Sequence, residues 1–188
     1  MSDSMEKRGI LDLLDLTLLD LDASEDDLAE VCDLASKHRT AAVCVFPEHA
    51  GFVKGRIDSV VSLALVAGGF PRGSESPDEI FDAVSEAASK GADEIDCVLE
   101  PCDEISFPGE GELAKLIAMR EASQGLILKV IVESPLLDER RLRAVTRMAL
   151  AAGADFVKSC TGKRGGCSDE AAAIMAEEVS RHCLSFEG

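Results

Sequence analysis

The feature that most limits the fold is an alternation. Six short runs, at residues 15–19, 41–46, 60–66, 94–99, 126–132 and 155–160, are apolar through their middles rather than at every second position. Stretches with helical periodicity lie between them. Ser24 opens the first, with Asp27 three residues on in the manner of a capping box, and Leu28, Val31, Cys32 and Ala35 form its apolar stripe. Further helices are expected at about 48–55, 77–90, 111–123, 138–152 and 168–182. In the 77–90 segment Ile80, Phe81, Val84 and Ala87 share a face, and Gly91 follows as a stop. Strands buried on both faces and separated by helices belong in a parallel sheet covered by helices. Two architectures fit: a TIM (β/α)8 barrel, or an open parallel α/β sheet of the doubly wound kind. No GxGxxG follows the first run and no GxxxxGK[ST] occurs, which disfavours the nucleotide-binding versions.

The 188 residues are the size of one domain, and 46% of them are hydrophobic, enough for a packed core. The longest apolar stretch, from Val60 to Ala67, is broken by Ser62 and is far short of the ~20 residues a membrane helix needs. The N-terminal residues lack an apolar signal core, and a cytoplasmic protein is expected. The formal net charge of −17 argues against nucleic acid and anionic membrane as partners. An anionic substrate would need a local basic patch set against that field. The seven cysteines form no CxxC pair, and His38, His49 and His182 stand apart, so zinc-ligand spacing is absent. The thiols are expected to pack as small apolar residues in a reducing compartment.

Charge inside the strand-like runs is the informative exception. EIDCVL holds Asp96, LILKVIV holds Lys129 and DFVKSC holds Lys158. Side chains alternate along a strand, so Lys158 shares a face with Phe156 and Cys160, and Asp96 with Glu94 and Val98. The plainer reading is a buried ion pair, Asp96 with Lys129 or Lys158, that only satisfies itself. Three charges on three strands of one parallel sheet favour chemistry instead, because such folds carry it on inward residues near the C-terminal strand ends. A desolvated lysine beside another cation is partly neutral and nucleophilic. It attacks a carbonyl to form an imine, which then acts as an electron sink. A neighbouring carboxylate moves protons. Lysine, second lysine and aspartate in one cluster are the equipment of a class I aldolase, with no metal and no cofactor. The loop TGKRGG adds a phosphate signal: Gly162, Gly165 and Gly166 let amides approach an anion, Lys163 and Arg164 add positive charge, and a helix follows. A plain solvated loop is the competing reading.

FVKSCTGK, residues 156–163, resembles the deoxyribose-phosphate aldolase family, and so do LLDLTLLD, TAAVCVFP, GADEIDCV and LILKVIVES, in the family's order. The resemblance implies a (β/α)8 barrel that cleaves 2-deoxyribose 5-phosphate to acetaldehyde and glyceraldehyde 3-phosphate, in deoxyribonucleotide catabolism. It assigns the Schiff base to Lys158, proton relay to Asp96, and part of the phosphate grip to Gly162 and Lys163. It places Asp15, Thr17, Cys44 and Lys129 along the substrate pocket. The expected partner is a small sugar phosphate, and the expected assembly a homodimer. Where the family usually has TST, this chain has SCT, which places Cys160 in the strand. Cys44 is expected to be a buried packing thiol. The family continues into a seventh strand with a second catalytic lysine, a GG phosphate loop and an eighth strand, whereas this chain ends at Gly188. The expectation is therefore one aldolase-type domain over 1–188, an incomplete barrel of about six β/α units. Two other readings stay open at this point: a truncated homologue that binds without turnover, and a class I aldolase for a different aldehyde.

Overall fold

The structure, a computed structural model, describes residues 9–74, 76–100 and 107–184. Pro101, read from the sequence as closing the fourth strand, and Cys102 lie outside the described residues. Among the described residues six strands alternate with helices: β1 (Asp15–Leu18), α1 (Glu25–His38), β2 (Ala42–Val45), α2 (Ala50–Lys54), β3 (Ser62–Ala67), α3 (Pro77–Ser89), β4 (Glu94–Val98), α4 (Glu110–Ala122), β5 (Ile127–Ile131), α5 (Glu139–Ala151), β6 (Phe156–Lys158) and α6 (Asp169–Leu184). They form one sheet in the order β1-β2-β3-β4-β5-β6. This is the expected class, successive parallel β/α units of the barrel type with six strands. The chain divides into two compact units.

The first unit holds residues 1–66 and 86–95. β1 pairs with β2 in parallel, Asp15 to Ala42 through Leu18 to Val45, and β2 pairs with β3, Ala42 to Ser62 through Val45 to Leu65. β2 is wholly buried, as a central strand of an apolar run must be. α1 starts where the sequence marks it. The Ser24 hydroxyl accepts from the Asp27 amide at 3.2 Å, and the Asp27 carboxylate accepts from the Ser24 amide at 3.0 Å. Leu28, Cys32 and Ala35 turn inward, with Val31 half-buried beside them.

The second unit holds residues 67–85 and 96–188. β5 pairs with β6 in parallel, Lys129 to Phe156 through Ile131 to Lys158. The Leu99 amide donates to the Ile131 carbonyl at 2.9 Å, tying the end of β4 to β5. Leu116 and Met119 of α4, Leu128 of β5, and Leu142 and Val145 of α5 are buried in its core.

A repeated tripeptide, Gly-Ala-Asp, sets the start of two strands. Gly91 and Gly153 take φ of +87° and +92°, which ends the preceding helix in a conformation glycine adopts freely. The aspartate that follows then locks the next strand. Asp93 accepts from the Leu63 amide at 2.8 Å in the first unit, and Asp155 accepts from the Leu128 amide at 2.8 Å in the second. Each carboxylate also holds a cation, Lys54 at 2.7 Å and Arg120 at 2.9 Å respectively.

β6 is shorter than its apolar run suggests. It stops at Lys158, so Cys160 lies beyond the strand and not in it. The cause is in β5. Val132 donates to the Lys158 carbonyl and Ser134 to the Ser159 carbonyl. In a regular parallel ladder, donors two residues apart reach acceptors two residues apart. Here they reach neighbours, so Glu133 is the extra residue of a bulge, and the ladder ends there.

Candidate active site

Asp96 is the centre of the site. Its neighbours on β4 face the other way: the Cys97 thiol packs toward the Ala67 carbonyl at 3.6 Å. A side chain at Gly68 would place its Cβ 2.5 Å from that sulfur, so the turn after β3 accepts only glycine here. Burial, and secondarily the Asp96 charge, push the Cys97 thiol up to about 12. It is an inert packing group. The Asp96 carboxylate, 1% exposed, accepts from the Lys158 ammonium through Oδ2, and Lys129 Nζ stands 3.9 Å from Oδ1. The Lys129 ammonium lies 5.8 Å from the centroid of the Phe156 ring. Lys129 is buried, while the Lys158 side chain keeps 30% of its surface open.

The three charged residues found in the apolar strands therefore meet on one face of β4, β5 and β6, as alternation predicts. The plainer sequence reading, a pair, understates the contact: one carboxylate serves two lysines. Of the two, Lys158 is the one a solute can reach.

The loop after β6 lies beside this cluster. Gly162 takes φ +73° with open space where a side chain would stand, so its backbone can be approached closely. Lys163 is exposed, and its amide donates to the Thr161 hydroxyl at 3.2 Å. Arg164 departs from expectation. Its guanidinium grips both oxygens of Glu100, at 2.5 and 3.2 Å, and this fork, with Glu133 as a lesser contributor, holds the group above the ordinary arginine range. Its charge is spent on a carboxylate that sequence reading did not single out, and the basic signal of the loop reduces to Lys163.

Sequence reading also missed Glu133. The bulge puts it at φ +51°, with the residue 3% exposed. Oε1 accepts from the Thr161 amide at 2.5 Å, and Oε2 has no hydrogen-bond partner among the described residues. The run LILKVIVES carries no local mark of this, because a bulge is a relation between two strands. Lys115 on α4 is fully buried and donates to the Glu100 carbonyl at 2.7 Å.

Asp15, Thr17 and Cys44 sit in the first unit. Thr17 on β1 and Cys44 on β2 are partners in register, and the Thr17 hydroxyl donates to the Asp15 carbonyl at 3.2 Å. Cys44 is buried, as expected of a packing thiol.

No protein-family model matches the chain. Individual proteins do. The deoxyribose-phosphate aldolase of Corynebacterium jeikeium is 41% identical over 184 residues, covering 93% of this chain and 74% of that protein. Among solved structures, an aldolase named QR15 superposes with a TM-score of 0.84 at 26% identity, over 92% of this chain and 78% of that one. The deoxyribose phosphate aldolase of Aeropyrum pernix, described as a tetramer, superposes at 0.79 with 25% identity, over 93% of this chain and 74% of that one.

Proposed function

The chain belongs to the deoxyribose-phosphate aldolase family, and from that premise we propose that it cleaves 2-deoxyribose 5-phosphate through an imine on Lys158. The observation that carries the reading is the Lys158–Asp96 pair, with Lys129 behind it, on three adjacent strands, with Lys158 as the last residue of its own.

The steps use groups already in contact. Lys158 gives its proton to Asp96, and its amine adds to the C1 carbonyl of the open-chain sugar. Asp96 returns the proton as water leaves, and an iminium remains. Asp96, ionised again, takes the C3 hydroxyl proton, and the C2–C3 bond breaks. The electron pair flows into the iminium to give an enamine, and glyceraldehyde 3-phosphate departs. Proton return to C2 of the enamine regenerates an iminium. Water adds to it, acetaldehyde leaves, and the amine is restored. One water is released and one consumed. Asp96 is the proton carrier within reach of the nitrogen, and Lys129 keeps positive charge beside the carboxylate throughout. Gly162 and Lys163 take the phosphate. A cytoplasmic setting, a homodimer and a part in deoxyribonucleotide breakdown belong to the same reading.

The test is trapping. Acetaldehyde and borohydride are added to the protein, and the peptide containing Lys158 is analysed by mass. One ethyl group on Lys158 is the expected product. An unmodified Lys158, or equal labelling across surface lysines, would sink the imine.

A further inference from the structure

Glu133 has no role in the steps above, yet it is held in a costly state. A non-glycine residue at φ +51° persists only where its surroundings over-determine it. Its carboxylate is buried with one oxygen committed to the Thr161 amide and the other lacking a hydrogen bond among the described residues. The nearby guanidinium of Arg164 offsets that charge, and Arg164 is itself forked onto Glu100. A further restraint comes from Gly165, where a Cβ would lie 2.9 Å from Pro135 Cβ, so the loop backbone presses on the segment just after Glu133.

These restraints have an order along the chain. Thr161 is tied to Glu133, which follows β5. Arg164 is tied to Glu100, which follows β4. Gly162 and Lys163 lie between the ties, with open space in front of Gly162. The ties bracket the two residues that would meet an anion; the Lys163 amide is given to the Thr161 hydroxyl, while its side chain stays exposed.

We propose that Glu133 is the positioning residue of the loop that grips phosphate, and that Arg164 is a tie to Glu100 rather than a ligand of the anion. The assignment rests on the proposed function for the word phosphate, and on geometry alone for the ties.

The experiment uses the full chain and reads three things: hydrogen exchange of the peptide spanning 159–166 without ligand, affinity for inorganic phosphate, and KM and kcat with the phosphorylated and free sugars. Glu133→Gly suits the backbone, since glycine favours positive φ, and removes the carboxylate. It should speed exchange at Thr161, weaken inorganic phosphate roughly tenfold and raise KM for the phosphate ester alike, with kcat nearly unchanged. Glu133→Gln still offers an oxygen to the Thr161 amide and should restore parental values. Arg164→Met and Glu100→Gln should loosen the loop equally, and the double variant no further. Three results overturn the proposal. One is faster phosphate loss in Arg164→Met beside a gain in Glu100→Gln, which would make Arg164 the ligand. Another is a kcat collapse in Glu133→Gln as deep as in Glu133→Gly, which would make Glu133 a proton-transfer group. The last is unchanged exchange in Glu133→Gly. A parental chain without cleavage, but with the exchange pattern intact, would overturn the aldolase reading and leave the ties standing.

Discussion

Two carboxylates in the second unit are equally hidden and differently employed. Asp96 on β4 and Glu178 on α6 each have a side chain 1% exposed. Asp96 meets Lys158 and Lys129. Glu178 meets Arg143 at 2.9 Å, Arg181 at 3.0 Å and Arg147 at 3.8 Å. Burial is alike and both carboxylates meet more than one cation, two for Asp96 and three for Glu178, so neither feature marks a reacting cluster off from a structural one. The kind of cation does. Arginine keeps its proton under all ordinary conditions, and the carboxylates of Glu139, Glu178 and Glu177 push Arg143 higher still. Such a group fastens α5 to α6 and can do no covalent chemistry. A lysine that passes its proton to its own carboxylate partner becomes a nucleophile. Position reinforces the difference. Asp96 lies on the sheet beside a reachable lysine that ends its strand, whereas Glu178 lies between helices.

The hardest blow to this contrast is to make the Asp96 cluster resemble the other one. Lys158→Arg keeps the positive charge on Asp96 and removes the amine. Borohydride trapping should vanish and cleavage should fall to background, while thermal stability stays close to parental. Cleavage at the parental rate would erase the distinction between the clusters.

Asp96→Asn keeps the shape and loses the proton carrier. A fall in kcat on the order of 10²-fold or more is expected, with little change in KM. A variant that loses only affinity would move Asp96 into the structural class. Glu178→Gln supplies the opposite control. It should cost about 1–3 kcal/mol of stability, read by denaturant unfolding, because three arginines lose a charged acceptor and a buried group loses a strong partner. Its kcat should be that of the parent.

Sequence legibility follows the same line. Asp96, Lys129 and Lys158 stand out because each interrupts an apolar run in a buried strand, where a charge has few innocent explanations. Glu178 has no such contrast. It follows Ala171, Ile174 and Met175 along the inward stripe of a helix rich in Glu, and only the packing against α5 shows that this glutamate faces inward. The partner of Arg164 is hidden for a related reason. A cation in a glycine-rich loop looks like a phosphate ligand until its partner is seen, and that partner is 64 residues away. The helices and strands were legible because period and capping are local; Ser24 with Asp27 is one such case. The early end of β6 was not, since it depends on an extra residue just past the neighbouring strand.

Lys163 and Arg164 then make a second, smaller comparison between adjacent cations. Lys163→Ala should raise KM for the phosphorylated sugar about tenfold, the worth of one charge-assisted contact, and leave the free sugar nearly untouched. Arg164→Met should raise it less, through loosening of the loop. Equal losses on both sugars would remove the phosphate role from Lys163.

The finest test of the Asp96 environment comes from its neighbour on the opposite face of β4. Cys97 is held at about 12 against an ordinary 9.0, by burial first and by the Asp96 charge second. A group whose folded value is raised contributes stability that is full below its unfolded value and is lost as pH rises toward the folded one. Between pH 9 and about 11 the unfolded chain releases a proton that the folded chain retains, so folding stability should decline. Cys97→Ala lowers the whole curve through the small cavity it leaves, and that offset does not depend on pH. What it changes is the slope, which should flatten by up to about 1.4 kcal/mol per pH unit in this window relative to the parent. Asp96→Asn should flatten it less, since it removes only the lesser cause. At pH 9, alkylation should mark the exposed Cys167 and Cys183 and spare Cys97. If Cys97 reacts as fast as they do, β4 is wetter than described, Asp96 is not desolvated, and its cluster loses the feature it shares with Glu178.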